Sequence, residues 1–479
     1  SIPAARGSSG VSSTTKVCAG TDSDLGRHRV NTINALLGGP FGDLILKPWY
    51  DPVALAGVVH AYLPLSRAWA AASGTNGDPD LFSHYLGQDR PMTAALAKAI
   101  GEVARRKAAY DAADTAFGDA IFGSPEFSGE EIAGLYAART VAADTWMKGR
   151  ATFLPGHVVK PFPSVRFNIE GPDAVERRHG HRIGNLSSAF AIDPQAVRVD
   201  ISRERPDAVY HTKWLRMSHG SEEPSWARLD QTADGKAMGT VVFCHGVLME
   251  REFFYDLYDQ TAVFLAPEIG AINVIQPEGP WHSRRMLPGH YGGEPLLGNP
   301  VGGMLDYFET HVREIGRLIA WVRRTIGGPV AVGGVSLGAL TAQLVLSAAK
   351  DWPEEARPDA GILLTTNESV LDVAYNSSLA SSLKFPEMLP GAGWTHDLLS
   401  RWTPLMEPGE PAVAPERIVC LLGTTDTVTP IGGGERLVQR WHLPEDNVFR
   451  WVGGHFAAAF SVLRDPTPVH RFKRIVAGL

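Results

Sequence analysis

Cysteine is scarce in this chain, whose 479 residues contain three, at Cys18, Cys244 and Cys420. Three cysteines cannot form the disulfide framework of a small secreted domain. Cys244 and Cys420 lie in apolar, strand-like runs, where a free thiol acts as a small core residue. This usage favours a reducing compartment, and we expect a cytoplasmic protein. The start at Ser1, which is not a methionine, leaves open that a leader has been removed.

The chain also has no basic excess and no long apolar run. Lys and Arg number 45 against 52 Asp and Glu, a net charge of −7, which argues against binding of nucleic acid through its phosphates. No run of eighteen apolar residues occurs, so stable membrane insertion is not expected. With 44% hydrophobic residues, the chain can bury a large core and belongs among globular proteins.

Signals for a metal or an organic cofactor are missing as well. The glycine pairs 302–303 and 327–328 lack the Gly-x-Gly-x-x-Gly order that a dinucleotide site needs after a strand. The segment 178–182 (RHGHR) has two close histidines but no third and fourth ligand at suitable spacing. We predict a solvated loop there, and neither a metal nor a cofactor.

Three regions follow one another along the chain. Residues 1–24 are rich in Ser, Gly and Thr and predict a flexible tail. Residues 25–150 are Ala-rich with apolar spacings of three and four, which predicts helices; Ser128 and Glu131 form a capping box that opens one through Met147. We expect this N-terminal region to act as a lid, as a support of the sheet or as an oligomer contact. The sequence does not decide among these roles, and it leaves the oligomeric state open.

Residues 151–479 change to a strand-rich pattern. Alternating segments at 165–169, 197–201 and 209–217 predict antiparallel edge strands. Short apolar runs then alternate with helices, the best of which covers 305–326. The pattern predicts an α/β fold, with a mostly parallel sheet covered by helices on both faces. The predicted parallel strands are 240–244, 271–276, 330–333, 361–364, 417–422 and 447–452.

The pentapeptide Gly334–Gly338 (GVSLG) lies between a predicted strand and a predicted helix. In that context the glycines allow a sharp turn that exposes the hydroxyl of Ser336 near a helix N-terminus. We interpret Ser336 as a nucleophile; the alternative is a turn of small residues that allows close packing.

A serine nucleophile needs a base within hydrogen-bond reach, and the base needs an orienting group. Asp426 and His455 each follow a later predicted strand, so both belong at the edge where Ser336 lies. We predict His455 as the base and Asp426 as the acid. The alternatives are a turn residue at 426, a helix-start histidine at 455, and Glu368 as the acid.

Acyl chemistry also needs donors aimed at the tetrahedral oxyanion. The amide of Leu337, directly after the nucleophile, is one candidate. The strand TVVFC ends in His245–Val247 (HGV), and from this loop we expect the amide of Val247, with Gly246 as the alternative.

Together these motifs resemble the α/β-hydrolase superfamily over residues 240–479. The resemblance rests on the His245–Gly246 turn, the elbow at Gly334–Gly338, Asp426, and the Gly-Gly-His ending at His455. It implies an α/β-hydrolase fold and a triad of Ser336, Asp426 and His455. Ala339 after the elbow, where many relatives carry a second glycine, and the N-terminal helices depart from the common pattern.

Two further segments are candidates for substrate contact. The loop 277–285 (PEGPWHSRR) follows a predicted strand, so we predict that Trp281, His282 and Arg285 line the pocket; the alternative is an anchored loop whose arginine pairs with a carboxylate. Residues 371–411 are too long for a plain crossover, and their apolar content suits a cap with an acyl-binding wall.

We therefore expect a serine hydrolase that cleaves a carboxylic ester through an acyl-enzyme. Its substrate would be a small, rather hydrophobic ester or acyl compound. Alternatives on the same triad are an acyltransferase, an amidase, a lactonase or a thioesterase. An alternative from another class is a non-catalytic binding protein that retains the fold.

Overall fold

A ten-stranded sheet forms the centre of the molecule. The computed structural model describes residues 42, 46–123, 126–206, 210–220, 223–250 and 261–479, so the predicted tail at 1–24 lies outside the described residues. Within them the strands are β1 (Arg198–Ile201), β2 (Arg205–Pro206), β3 (Tyr210–Ser218), β4 (Ser225–Thr232), β5 (Thr240–Cys244), β6 (Asn273–Pro277), β7 (Val330–Val335), β8 (Ala360–Leu364), β9 (Ile418–Gly423) and β10 (Val448–Trp451).

The strand order is β1-β3-β4-β6-β5-β7-β8-β9-β10, with β2 paired to β3. The pairs among β1 to β4, and that between β4 and β6, are antiparallel. The six strands from β5 to β10 are parallel. All residues of β5 to β9 are buried, as expected for strands covered on both faces. This is the α/β-hydrolase fold, and the predicted fold class is confirmed.

Helices cover the sheet and fill the N-terminal region. Those N-terminal to the sheet are α1 (Tyr50–Gly57), α2 (Leu63–Gly74), α3 (Phe82–Leu86), α4 (Ala94–Phe122), α5 (Gly129–Met147), α6 (Leu154–Val159), α7 (Pro172–Ile183) and α8 (Leu186–Ala189), with a π-helical turn at Val58–Tyr62. Those within the sheet region are α9 (Thr261–Leu265), α10 (Glu294–Gly298), α11 (Gly302–Thr325), α12 (Leu337–Ala348), α13 (Val370–Asn376), α14 (Ser378–Ser382), α15 (Phe385–Gly391), α16 (His396–Ser400), α17 (Ile431–Arg440), α18 (His455–Ser461) and α19 (Thr467–Ala477).

Most of the predicted elements are confirmed, and two are wrong. The six parallel strands, the long helix α11 and the capping box of α5 are present. Residues 165–169 form no strand; the amide of Asn168 instead donates to the carbonyl of Gly298, the last residue of α10, at 2.9 Å. The predicted loop at 178–182 is part of α7, and His179 is buried, with its Nε2 3.2 Å from Oδ1 of Asp306 and its ring against that of Trp402.

Two buried ion pairs hold the N-terminal region against the sheet region. Arg67 of α2 pairs with Glu294 of α10, and both side chains are fully buried. Arg150 pairs with Glu250, which also accepts a hydrogen bond from the Tyr62 hydroxyl at 3.2 Å. An unpaired buried charge is costly, so these pairs tie the N-terminal region to the segments beside the carboxyl edge of the sheet.

No helix within the described residues is both long and apolar enough to cross a bilayer.

Candidate active site

Ser336 sits at a sharp turn between β7 and α12. Its backbone has φ +56° and ψ −121°, a strained conformation for a residue with a side chain. The flanking residues must be glycines because other backbone atoms lie very close to them. A Cβ on Gly338 would lie 2.1 Å from the carbonyl oxygen of Cys244, and a Cβ on Gly334 would lie 2.4 Å from the carbonyl carbon of Gly338. The sequence Gly-x-Ser-x-Gly therefore forces the serine out at the carboxyl edge of the sheet, as the motif predicts.

His455 lies within hydrogen-bond distance of both other residues of the predicted triad. His455, the first residue of α18, places its Nε2 3.0 Å from the Ser336 Oγ. Its Nδ1 lies 2.8 Å from Oδ2 of Asp426. The imidazole thus bridges a hydroxyl and a carboxylate, the arrangement in which histidine accepts a proton from serine.

The Asp426 carboxylate is fixed by its own loop. Oδ1 accepts the backbone amides of Val428 and Thr429, both at 2.8 Å. Oδ2 accepts the Thr429 hydroxyl at 2.7 Å beside its bond to His455. Asp426 is therefore both the turn residue considered as an alternative and the partner of the histidine. Thr429 was missed by the sequence reasoning, although an Asp followed three residues later by Thr is a recognisable turn signal.

Burial and neighbouring carboxylates shift the pKa of His455 in opposite directions. Burial by itself lowers the pKa of this imidazole, whereas the charge and hydrogen bond of Asp426, and the charge of Asp51, raise it; the net pKa lies above the ordinary value of 6.5. A raised pKa makes the neutral ring a stronger base once it has lost its proton.

The rival acid Glu368 lies in a different set of contacts. Its carboxylate pairs with Arg436 at 2.9 Å and with Arg440 at 3.3 Å on α17. No group of three or more His, Cys, Asp or Glu side chains that could hold a metal occurs among the residues that the structure describes.

Val247 and Leu337 both line the pocket that contains Ser336. Leu337 is the first residue of α12, where the amide has no carbonyl partner within the helix. The loop of Val247 is anchored by His245, whose Nδ1 lies 2.7 Å from the Gly246 carbonyl and whose Nε2 accepts the Gly279 amide at 3.0 Å. Burial lowers the pKa of His245 to about 4, so this imidazole is neutral at physiological pH.

Trp281, His282 and Arg285 do not line that pocket. Arg285 is buried and forms two contacts of 3.0 Å with the Glu314 carboxylate. His282 is fully buried, with its ring 4.7 Å from that of His245. Trp281 is half-buried, with φ +60°. The prediction that these three residues contact a substrate is not supported by their position outside the pocket.

The pocket at Ser336 is small, about 120 Å³, and mostly apolar. The predicted insertion at 371–411 supplies part of its wall from α13, α14 and α15. Among the large apolar residues of that insertion, Phe385 reaches the pocket, whereas Trp394 and Trp402 are buried in the core. The apolar lining residues are Val247, Leu296, Leu297, Pro300, Met304, Leu337, Leu340, Val370, Val373, Ala374, Leu379, Ala380, Phe385 and Val428.

Comparisons with known proteins find solved structures of low similarity. No protein-family model and no curated protein matches this chain. Similar solved structures include a cold-adapted esterase from an Arctic intertidal metagenomic library, 14% identical over 57% of this chain and 97% of its own, with a TM-score of 0.38. Others are an acetyl xylan esterase from Paenibacillus sp. R4 (13% identity, 61% and 91% covered, TM-score 0.40) and the Pyrococcus horikoshii acylaminoacyl peptidase (12% identity, 57% and 43% covered, TM-score 0.36). A functional assignment therefore has to come from the geometry of the site.

Proposed function

We propose that this protein is a serine hydrolase that cleaves a carboxylic ester through an acyl-enzyme. One observation carries the proposal: the His455 ring lies 3.0 Å from the Ser336 hydroxyl and 2.8 Å from the Asp426 carboxylate. A serine hydroxyl becomes a nucleophile at neutral pH when a base can take its proton. The strained turn at Ser336 adds support, since strain of this kind persists at functional sites.

Acylation begins when the Ser336 Oγ attacks the ester carbonyl carbon and its proton passes to Nε2 of His455. Asp426 accepts the hydrogen bond from Nδ1–H, which fixes the tautomer and stabilises the imidazolium. In this proposal the amides of Val247 and Leu337 stabilise the oxyanion of the tetrahedral intermediate. His455 then gives its proton to the departing alkoxide, and the alcohol leaves.

Deacylation repeats these steps with water. His455 removes a proton from water, the hydroxide attacks the acyl carbon, and the second tetrahedral intermediate collapses to release the carboxylic acid. The proton returns from Nε2 to the Ser336 oxygen, so the enzyme regains its starting state.

The apolar pocket supports a hydrophobic acyl group as the bound part of the substrate. Its lining joins the elbow residue Leu337 to the cap residues Val373 and Ala374, so an acyl chain on Ser336 would lie among aliphatic side chains. Its volume of about 120 Å³ favours a short acyl chain over a long one.

The test is covalent labelling with a fluorophosphonate, which reacts with an activated serine. The proposal predicts one adduct per chain, on the peptide that contains Ser336, and its loss in Ser336→Ala with the circular dichroism spectrum and melting temperature retained. Ser347→Ala, on the same helix that follows the elbow, is the matched control and keeps full labelling. A folded wild-type protein that takes no label would favour the binding-protein alternative.

Product analysis then separates hydrolysis from transfer. The unlabelled wild-type protein is incubated with p-nitrophenyl esters in water, with and without an added alcohol or amine. Hydrolysis predicts the free acid as the main product. A new ester or amide that takes over at millimolar acceptor would assign the same triad to an acyltransferase.

A further inference from the structure

The N-terminal helix α1 packs directly against the helix that begins with the catalytic histidine. Leu46 and Tyr50 contact an apolar cluster formed by α18, which includes Ala457 and Phe460. The same two elements, with Ser378 and Ser382 of α14, enclose a cleft of about 250 Å³ that His455 lines. The N-terminal region therefore reaches His455 at a cleft that it shares with α14 of the 371–411 insertion.

Asp51 of α1 caps helix α18 across more than 400 residues of sequence. Its Oδ1 accepts the amide of Phe456 at 2.6 Å, and its Oδ2 accepts the amides of Gly454 at 3.2 Å and Ala457 at 3.4 Å. These amides belong to the first turn of a helix, where backbone donors have no partner within the helix. A carboxylate from a distant segment thus performs the task that an N-cap side chain normally does.

This helix-capping contact of Asp51 explains why the residue directly before the catalytic histidine is a glycine. A Cβ on Gly454 would lie 2.5 Å from Cγ of Asp51, so only glycine lets the carboxylate come this close. Gly453 has φ +156°, and the two glycines leave the backbone before His455 with few restraints of its own. The direction of the first turn of α18 therefore depends on contacts from other segments, which are the Thr425 amide on the Gly453 carbonyl at 3.0 Å and Asp51 on the amides of the turn.

We infer that Asp51 is a positioning residue for the reaction proposed above: it fixes the start of α18 and so holds the His455 ring between Ser336 and Asp426. The inference rests on the proposed function. It gives the N-terminal helix a role within the site, beyond covering the sheet.

The charge of Asp51 offers a readout that a purely structural cap would not change. Among the described residues, the titratable groups facing His455 are Asp426 from the loop after β9 and Asp51 from α1, with Tyr50 beside Asp51 and His60 in the same cleft. Burial raises the pKa of Asp51, and its backbone donors and His455 act in the opposite direction. Removal of this negative charge lowers the pKa of His455, so the acid limb of kcat/KM moves to lower pH.

The variant Asp51→Asn keeps the size of the side chain but offers one acceptor oxygen and an NH₂ group that faces backbone donors. We expect kcat for a p-nitrophenyl ester to fall about 10- to 100-fold with little change in KM, because small displacements of a catalytic group have effects of this size. The acid limb shifts downward, and the fluorophosphonate labelling rate falls with kcat. Val53→Asn, an exposed position on the same helix, is the matched control and leaves all of these values unchanged.

The outcomes separate this inference from the proposed function. If Asp51→Asn melts at a lower temperature but keeps the wild-type kcat and acid limb, Asp51 is a structural cap and the inference fails while the hydrolase assignment stands. If the wild-type protein neither labels nor hydrolyses esters, the proposed function itself fails. Should Asp51→Asn be insoluble, Asp51→Ser, whose hydroxyl can accept one amide hydrogen, is measured in the same way and the same shift in the acid limb decides.

Discussion

The sheet region and the N-terminal helical region contribute to one site in different ways. Each residue of the proposed triad follows a parallel strand closely: Ser336 comes directly after β7, Asp426 follows β9, and His455 follows β10. The N-terminal region supplies no triad residue, but Asp51 and Arg67 bind segments that frame the site. In the proposed reaction, short motifs at strand ends supply the reacting groups, and contacts between residues far apart in sequence position them.

This contrast gives the two regions different sensitivities. A change at a strand end removes a reacting group and should abolish turnover with little effect on folding. A change in the N-terminal region removes a contact between segments and should alter stability or geometry while the reacting groups remain. Four experiments test this division.

The largest effect is expected for Asp426→Asn. The amide favours the wrong tautomer of His455 and cannot stabilise the imidazolium, so kcat should fall by roughly a thousandfold or more, as measured with a p-nitrophenyl ester. Glu368→Gln is the matched control, because that carboxylate pairs with Arg436 and Arg440 instead. A severe loss in Glu368→Gln with a harmless Asp426→Asn would transfer the role of the acid to Glu368.

Arg67→Met tests the hold of the N-terminal region. It leaves the buried Glu294 carboxylate without its cationic partner, and the free energy of unfolding should fall by about 3–5 kcal/mol, measured by urea denaturation. Lys148→Met breaks a solvent-accessible i,i+4 pair with Asp144 and should cost at most about 0.5 kcal/mol. Equal effects of the two variants would show that burial of the pair is unimportant.

The pH profile of the wild-type protein tests the proposed base His455 without altering the N-terminal region. His455 must be neutral to accept the serine proton, and its raised pKa places that transition above 6.5. We therefore expect kcat/KM to rise about tenfold per pH unit on the acid side and to level off once the ring is neutral. A flat profile between pH 5 and 8 would argue against a histidine base.

The smallest expected effect concerns the wall that the 371–411 insertion adds to the pocket at Ser336, where we propose that the acyl chain binds. Ala374→Phe, on α13, narrows the pocket, and the ratio of kcat/KM for a hexanoyl over an acetyl ester should fall about tenfold. Ala109→Phe, at an exposed position of α4 outside the pocket lining, is the control and keeps the ratio. An unchanged ratio in Ala374→Phe would place the acyl chain elsewhere.

The limits of sequence reasoning follow the same division. The elbow, Asp426 and His455 could be found because strand, turn and residue type stand next to one another in the chain. Asp51 carried no such signal, since an Asp before a proline at a helix start is ordinary and its three partners lie at 454–457. The pocket wall from Leu296 and Leu297 was missed for the same reason, because their approach to Ser336 depends on packing between distant helices.

The proposed reaction requires that Ser336 forms an ester bond with the acyl part of a substrate. Rapid mixing with a p-nitrophenyl ester, followed by acid quench and mass spectrometry of the digested protein, detects this bond. We expect a burst of p-nitrophenol that approaches one equivalent if deacylation is slower than acylation, and a mass increase of one acyl group on the peptide containing Ser336. An acyl group on another residue, or turnover that persists in Ser336→Ala, would contradict it.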